Sequence, residues 1–229
     1  MGLCVSNTAL IIPHYHKDRA LNIYDIDKAI GEWNRKPDQI ILFNNSGVTL
    51  GLHNFQEILS PINFGSSIRY SIAAACGADI IVCHDDDLII PEESFWELAD
   101  FIEKNPDSVV GFCGANLSDG DRPYLDRQSF SIECQRDTAS GVDVVIGRVT
   151  AFHKQALPMY FHFISKLDYS LWKNHEDIPL SISNEWSGGG NYILGINVQN
   201  LSEEGVGLSH DPKHYEHRDT LVKACLAIA

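Results

Sequence analysis

Short, continuous apolar runs alternate with segments of helical spacing through the first part of the chain. The runs cover residues 8–13, 39–43, 79–83 and 109–112. Their length and their content of Ile, Val and Phe are typical of strands buried on both faces. Between the runs, apolar residues recur three or four positions apart, which predicts amphipathic helices. The positions that define these helices are Ile23, Ile26, Ile30 and Trp33; Ile68, Ile72 and Ala75; and Phe95, Leu98, Ala99 and Ile102.

This alternation predicts an α/β fold in which a mostly parallel sheet is flanked by helices. Sheets of this kind bind their ligands beyond the carboxyl ends of the strands. After about residue 115 the pattern loosens, with a polar, turn-rich stretch at 117–138, a further strand at 142–146 and three glycines at 188–190 that predict a flexible hinge. We therefore expect a single domain over residues 1–229 with an elaborated C-terminal part.

Composition and charge narrow the classes of function. The chain has 229 residues, of which 44% are hydrophobic and 21% charged, as in ordinary globular proteins. Its formal net charge of −14 opposes attraction to nucleic acid, so we expect no nucleic-acid partner. The absence of a long apolar run and of a secretion signal predicts a soluble, cytoplasmic chain with no membrane span. The apolar segment 221–229 lacks a polar tail, which is typical of a domain cut from a longer protein.

The cysteines predict thiols rather than disulfides. There are six, an even number, but they lie far apart without a CxxC pair and mostly within apolar runs. This distribution favours buried free thiols over disulfides or zinc ligands. The six are Cys4, Cys76, Cys83, Cys113, Cys134 and Cys225.

Three consecutive aspartates, Asp85, Asp86 and Asp87, follow closely on the apolar run 79–83. They would lie where an open α/β sheet binds its ligands. Alternation along an extended segment would point Asp85 and Asp87 the same way, and such close carboxylates repel unless one is protonated or a cation lies between them. Carboxylates suit Mg²⁺ or Mn²⁺, which leave coordination positions for water and phosphate. The pattern favours a divalent-metal site over the alternative, a solvated acidic turn.

Other motifs accompany the aspartates along nearly the whole chain. Asn63-Phe64-Gly65 and Arg69 precede them, and His175-Glu176-Asp177-Ile178 and His214-Tyr215-Glu216-His217-Arg218 follow. Together with the opening segment 11–19, these motifs resemble the GT-A class of nucleotide-sugar-dependent glycosyltransferases. Within that class they are most similar to the exostosin-like and family-2 enzymes, in which a Glu-Asp pair opens a late helix. Three further segments carry the same resemblance, at residues 40–45, 142–147 and 151–154.

The resemblance implies a metal-dependent glycosyltransferase. Its donor would be a nucleotide-sugar, with a UDP-sugar expected, its acceptor a hydroxyl of a glycan or glycoconjugate, and its cofactor Mn²⁺ or Mg²⁺. Residues 1–115 would form the nucleotide-sugar-binding half and residues 116–229 the acceptor-binding half. The implied donor contacts are Pro13, Tyr15, Arg19, Asn45, Asn63, Arg69, Asp85 and Asp86. The implied metal ligands are Asp85, Asp87 and His214, and the implied catalytic residues are Asp177, Glu176 and Arg218.

Several of these roles have alternatives. Asp177 would be the general base of an inverting enzyme, or would stabilise positive charge at the anomeric centre in a retaining one, or would only interact with the helix dipole. Arg218 would neutralise the leaving diphosphate or lie in a basic surface turn. One of His210, His214 and His217 would complete the metal shell, and His214 is our choice.

Two wider alternatives remain for the protein as a whole. A metal-dependent nucleotidyltransferase or phosphoesterase also grips phosphates with acidic residues at strand ends. A non-catalytic carbohydrate-binding relative would retain only the fold. Among the less specific positions, Trp172 and Trp186 would line the acceptor site or anchor the core, and the glycines at 188–190 would form a loop over the donor.

Overall fold

The computed structural model describes residues 6–15, 17–130, 139–201, 211 and 213–229. Strands and helices alternate along it. The strands are β1 (Thr8–His14), β2 (Gln39–Asn44), β3 (Gln56–Leu59), β4 (Ile80–His84), β5 (Leu88–Ile89), β6 (Ser108–Gly111), β7 (Gly114–Asn116), β8 (Gln128–Phe130), β9 (Ser140–Gly141), β10 (Val144–Val145), β11 (Val149–His153), β12 (Gly190–Ile193) and β13 (Gln199–Asn200). The helices are α1 (Ala20–Gly31), α2 (Ile68–Ala75), α3 (Glu92–Lys104), α4 (Leu157–Ile164), α5 (Tyr169–Trp172), α6 (Asp177–Trp186) and α7 (His214–Leu226).

An eight-stranded sheet organises these elements in the order β3-β2-β1-β4-β11-β6-β12-β9. β3, β2, β1 and β4 pair in parallel, as do β6 and β12. β11 runs antiparallel between β4 and β6, and β9 is antiparallel at the edge. The predicted α/β fold with a mostly parallel sheet flanked by helices is confirmed. Strands from both sides of residue 115 share this sheet.

The central strands are buried on both faces, which explains why they appear in the sequence as unbroken apolar runs. Along β1, Leu10 and Ile12 belong to one core cluster, whereas Ala9 and Ile11 belong to the other. Apolar residues of α1 and α3 pack in the first cluster, and those of α2, α4 and α6 in the second. A third cluster joins α4, α6 and α7 around Tyr124.

Two of the expected elements differ from the structure. The strand expected at 142–146 is the two-residue β10, which pairs with β7 in a separate three-stranded sheet. The glycines at 188–190 make the tight connection from α6 to β12, in which Gly188 has a φ of +85° and Gly190 already pairs with Ser108. Because β12 runs parallel to β6, this connection lies at the amino-terminal edge of the sheet, so these glycines do not form a loop over ligands bound at the carboxyl ends.

The thiol prediction agrees with the described residues. Cys76, Cys83, Cys113 and Cys225 are free, and all but Cys113 are buried. Cys4 and Cys134 lie outside the described residues. None of the described helices combines the length and the apolar character needed to cross a membrane.

Candidate active site

A cleft of about 570 Å³ lies at the carboxyl ends of β1, β2 and β4. All thirteen residues for which the resemblance implies a donor, metal or catalytic role line it: Pro13, Tyr15, Arg19, Asn45, Asn63, Arg69, Asp85, Asp86, Asp87, Glu176, Asp177, His214 and Arg218. The fold therefore brings together side chains from both ends of the chain. Their individual roles stay predictions.

The aspartate run forms a turn rather than a continued strand, because β4 ends at His84. The expectation that Asp85 and Asp87 alternate along an extended segment is therefore wrong. Asp86 is buried, with one oxygen 2.8 Å from His14 Nδ1 and the other accepting from Arg19 Nη1 at 2.7 Å. Burial alone would raise the pKa of Asp86, but the hydrogen bond from His14 and the charge of Arg19 outweigh it and lower this pKa.

Each of the three aspartate carboxylates has an arginine within 4.0 Å. Arg69 Nη2 donates to Asp85 Oδ1 at 2.5 Å, and Arg19 Nη1 lies 3.3 Å from Asp87 Oδ2. Arg148 Nη2 lies 3.6 Å from Asp87 Oδ1 on the other side. The cations reduce the repulsion that adjacent carboxylates would otherwise feel. The Asp85 side chain is 31% exposed and the Asp87 side chain 10%, so Asp85 is the more accessible from the cleft.

The same turn holds the residues that could bind a divalent cation. Within the described ranges, no group of three or more His, Cys, Asp or Glu side chains is arranged to hold a metal ion, so Asp85, Asp87 and His214 do not form such a set. Asp85 and Asp87 nevertheless supply hard carboxylate oxygens at the cleft wall. Mg²⁺ commonly binds through one or two carboxylates and completes its shell with water and substrate phosphate. These carboxylate ligands suit a cation that also binds a phosphate, rather than a site in which the protein supplies every ligand.

Buried Arg69 links the aspartate turn to the far side of the cleft. Besides Asp85, its guanidinium contacts Glu176 Oε1, 3.2 Å from Nε, and donates from Nη1 to the carbonyl oxygen of Gly147 at 2.7 Å. Arg69 is only 1% exposed. Because a buried guanidinium needs its donors satisfied, this residue fixes three separate segments relative to one another.

The loop before α2 packs tightly against the segment that leads into α6. Ser66 Oγ donates to Glu176 Oε2 at 2.5 Å, and the amide of Ser67 donates to the carbonyl oxygen of Lys173 at 3.1 Å. Gly65, which precedes these two serines, has a φ of +75°, and a Cβ at this position would lie 2.5 Å from that same Lys173 oxygen. Glycine is therefore required for this close approach, which positions Glu176.

Glu176 and Asp177 are neighbours in sequence, but their surroundings shift their pKa values in opposite directions. Arg218 binds both oxygens of Asp177, from Nη1 at 3.0 Å and from Nη2 at 2.6 Å, and the Gly147 amide adds a third hydrogen bond at 3.0 Å. Burial would raise the pKa of Asp177, but the charge of Arg218 outweighs it, and this pKa is lowered. For Glu176, burial outweighs Arg69, and its pKa rises to about 7. Pairs of carboxylates separated in this way are typical of acid–base sites.

The amino-terminal turn of α7 closes this side of the cleft. His214 is half-buried and its ring lies 5.0 Å from that of His175. Burial lowers the pKa of His214 to about 4, which leaves a neutral imidazole. His217 is exposed and does not line the cleft, and His210 lies outside the described residues.

The two tryptophans considered for an acceptor site do not line the cleft. Trp172 is partly buried and packs against the second and third core clusters. Trp186 is 50% exposed at the far end of α6, where its Nε1 donates to the carbonyl oxygen of Ala229.

Several cleft residues were missed by the sequence reasoning. They include His14, Ser66, Tyr124, Arg127, Arg148 and Tyr215. His14 and Tyr215 lie within motifs of the resemblance and Arg148 adjoins the segment 142–147, which is the signal that could have found them. Tyr124 and Arg127 lie in a turn-rich stretch with no local pattern, so nothing in the sequence distinguishes them from surface residues.

Comparisons with known proteins place this geometry in a fold class. No protein-family model matches the chain, and no curated protein is similar to its sequence. Among solved structures, it is similar to GalNAc-T7 with UDP, GalNAc and Mn²⁺, at a TM-score of 0.63 and 10% identity, over 87% of this chain and 44% of that one. It is also similar to S. aureus TarS 1–349 in complex with UDP-GlcNAc, at a TM-score of 0.68 and 13% identity, over 97% and 67%. The present chain thus spans less than half of the GalNAc-T7 chain. It has the GT-A fold of nucleotide-sugar glycosyltransferases.

Proposed function

We propose that this protein is a glycosyltransferase that transfers a sugar from a UDP-sugar to a hydroxyl of a glycan or glycoconjugate. The observation that carries the proposal is the cleft itself, in which the aspartate turn after β4 faces the Glu176–Asp177 pair across buried Arg69. Five of the eight arginines of this acidic chain line the same cleft. Guanidinium groups suit phosphate oxygens, so the two arginines beside the aspartate turn, Arg19 and Arg148, support a diphosphate ligand there. The two similar structures hold UDP or UDP-GlcNAc, which supports uridine as the base.

The donor would occupy the side of the cleft formed by residues 1–115. Tyr15 is 53% exposed and would lie against the base, with Pro13, Asn45 and Asn63 beside it. Asp85 and Asp87 would hold Mn²⁺ or Mg²⁺, with His214 on the opposite wall as a further candidate ligand. When bound, that cation would stabilise the charge of the departing diphosphate as a Lewis acid. Asp86 would keep the turn in place through His14 and Arg19 rather than contact the metal.

Transfer would use the two neighbouring carboxylates differently. The bond from the anomeric carbon to the diphosphate breaks, and a bond from that carbon to the acceptor oxygen forms. The acceptor proton passes to Glu176, whose pKa of about 7 suits a general base near neutral pH. Asp177, held ionised by Arg218, is too weakly basic for that role and would stabilise positive charge at the anomeric carbon.

Thermal unfolding with nucleotides tests the donor and the metal together. We expect UDP with Mn²⁺ to raise the free energy of unfolding by about 2.7 kcal/mol at about 100 times its Kd, and EDTA to remove this gain. GDP, dTDP and CDP serve as comparison ligands. Asp87→Asn should lose the Mn²⁺-dependent gain, measured against the unfolding of the same variant without ligand. If none of the four nucleotides stabilises the wild type, the proposed function fails.

A further inference from the structure

Arg127 differs from the other arginines of the cleft in its charge environment. Arg19, Arg69, Arg148 and Arg218 each lie within 4.0 Å of a carboxylate oxygen. Arg127 forms no ion pair with any carboxylate in the part of the chain that the structure describes. Among the described residues, Arg127 is therefore the cleft guanidinium without a carboxylate partner.

Aromatic rings hold this guanidinium in place. Its central carbon lies 4.4 Å from the ring centroid of Tyr124 and 4.7 Å from that of Tyr215. Arg127 Nη1 donates to the carbonyl oxygen of Tyr124 at 3.0 Å, while the buried Nε has no hydrogen-bond partner among the described residues. Tyr124 is itself 2% exposed, and its amide donates to Asp219 Oδ1 at 3.0 Å. The cation is thus fixed on a rigid platform, which lowers the entropy cost of binding a ligand.

The position of Arg127 relates it to the acceptor side of the cleft. Arg218, which holds Asp177, also lies against the Tyr124 ring, at 4.5 Å from its centroid. Arg127 is therefore a neighbour of the Asp177–Arg218 pair, on the wall built by the C-terminal part of the chain. An acceptor hydroxyl must approach these carboxylates to react, so the groups around them contact the acceptor.

The distribution of charges in the cleft also relates Arg127 to the acceptor. The donor diphosphate would meet its counter-charge at the aspartate turn, from the divalent cation and from Arg19 and Arg148 beside it. Arg127 contacts none of the three aspartates. In a protein of net charge −14, a cleft cation that forms no ion pair with a described residue attracts an anion that the rest of the surface would repel.

We propose that Arg127 binds a phosphate or carboxylate group of the acceptor, so that the natural acceptor is an anionic glycan or glycoconjugate. This inference rests on the proposed function. Arg127 would act as a specificity residue that orients the acceptor by its charge, while the reacting hydroxyl lies at Glu176 and Asp177. The planar guanidinium fork matches the two oxygens of either anion.

Calorimetric titration in the presence of UDP and Mn²⁺ tests this assignment with three monosaccharide probes: glucose, glucuronic acid and glucose 6-phosphate. We expect the wild type to bind the two anionic sugars at least about tenfold more tightly than glucose. Arg127→Met should remove that preference, and Arg127→Lys, which keeps the charge but not the fork, should retain part of it. Arg122→Met is the matched control, since Arg122 is an exposed arginine of the same segment that does not line the cleft.

Titration of UDP into the same proteins distinguishes a failure of the Arg127 assignment from a failure of the proposed function. The inference predicts that Arg127→Met binds UDP as tightly as the wild type. If that variant loses UDP affinity while the sugars bind unchanged, Arg127 serves the donor and the assignment is overturned. It is also overturned if the wild type binds the three sugars alike, or if the preference survives in Arg127→Met. A wild type that binds no UDP overturns the proposed function instead, and this inference with it.

Discussion

Glu176→Gln is expected to lower the turnover of sugar transfer by about 10²–10⁴-fold, the usual contribution of a general base. Glutamine preserves the size of the side chain and can still bond to Ser66 and Arg69, but it cannot accept the acceptor proton. The wild-type rate should rise with pH through about 7, where Glu176 loses its proton, and the residual rate of the variant should not. Initial rates from pH 5 to 9 with a saturating donor provide the measurement.

The titration of Glu176 also makes the free energy of unfolding depend on pH. The folded state holds the Glu176 proton up to a pKa of about 7, whereas the unfolded chain releases it near 4.5. Between these values the folded state binds more protons, so this residue makes the free energy of unfolding fall as pH rises. Glu176→Gln should lack this part of the pH dependence. Glu185→Gln, an exposed change near the end of α6, the helix that begins directly after Glu176, is the control and should alter neither profile. A Glu176→Gln variant with wild-type turnover would assign the base elsewhere.

Arg218→Met should reduce the free energy of unfolding by about 3–5 kcal/mol, because it leaves the buried Asp177 carboxylate without its cation. Asp177 would keep only the amide hydrogen bonds from Gly147 and Ile178. Adding Asp177→Asn to the variant should recover part of the loss, since no uncompensated charge then remains in the interior. Urea unfolding monitored by circular dichroism measures these differences.

α7 itself provides the matched control. Lys223→Met removes the ion pair between Lys223 Nζ and Asp219 Oδ2, one turn of helix apart at 2.7 Å. The Lys223 side chain is 50% exposed, and pairs of this kind contribute about 0.3–0.5 kcal/mol. A loss in Arg218→Met no larger than that in Lys223→Met would show that Asp177 reaches solvent or another partner without the arginine. The role of Arg218 as the residue that keeps Asp177 ionised would then be wrong.

The local pattern of apolar and polar residues was sufficient to predict much of the fold and the location of the site. Buried strands are unbroken apolar runs, so β1, β2 and β4 could be predicted, and with them the edge at which ligands bind. The aspartates follow β4 directly, which placed them at that edge. The antiparallel insertion of β11 between β4 and β6 could not be predicted, because strand order depends on packing between distant segments rather than on local pattern.

The charge arrangement of the cleft was beyond sequence reasoning for the same reason. Asp177 and Arg218 are 41 positions apart, and Arg69 and Gly147 are 78 apart. Such pairs depend on how helices and loops dock, for which a single sequence carries no signal. Arg127 illustrates the limit, because neither its contacts with two aromatic rings nor its lack of an ion pair among the described residues is visible as a motif.

The products formed from UDP-sugars distinguish a glycosyltransferase from the other two classes of enzyme. Purified protein with Mn²⁺, a panel of UDP-sugars and a panel of neutral and anionic glycans would be analysed for nucleotide products by ion-exchange chromatography. We expect free UDP from at least one donor, formed only when a glycan is present and abolished by EDTA. Release of UMP with a sugar phosphate would instead indicate a phosphoesterase, and release of a sugar phosphate with transfer of the UMP group to the glycan would indicate a nucleotidyltransferase. Either result, or the absence of UDP with every donor and glycan, would contradict the assignment of this protein as a glycosyltransferase.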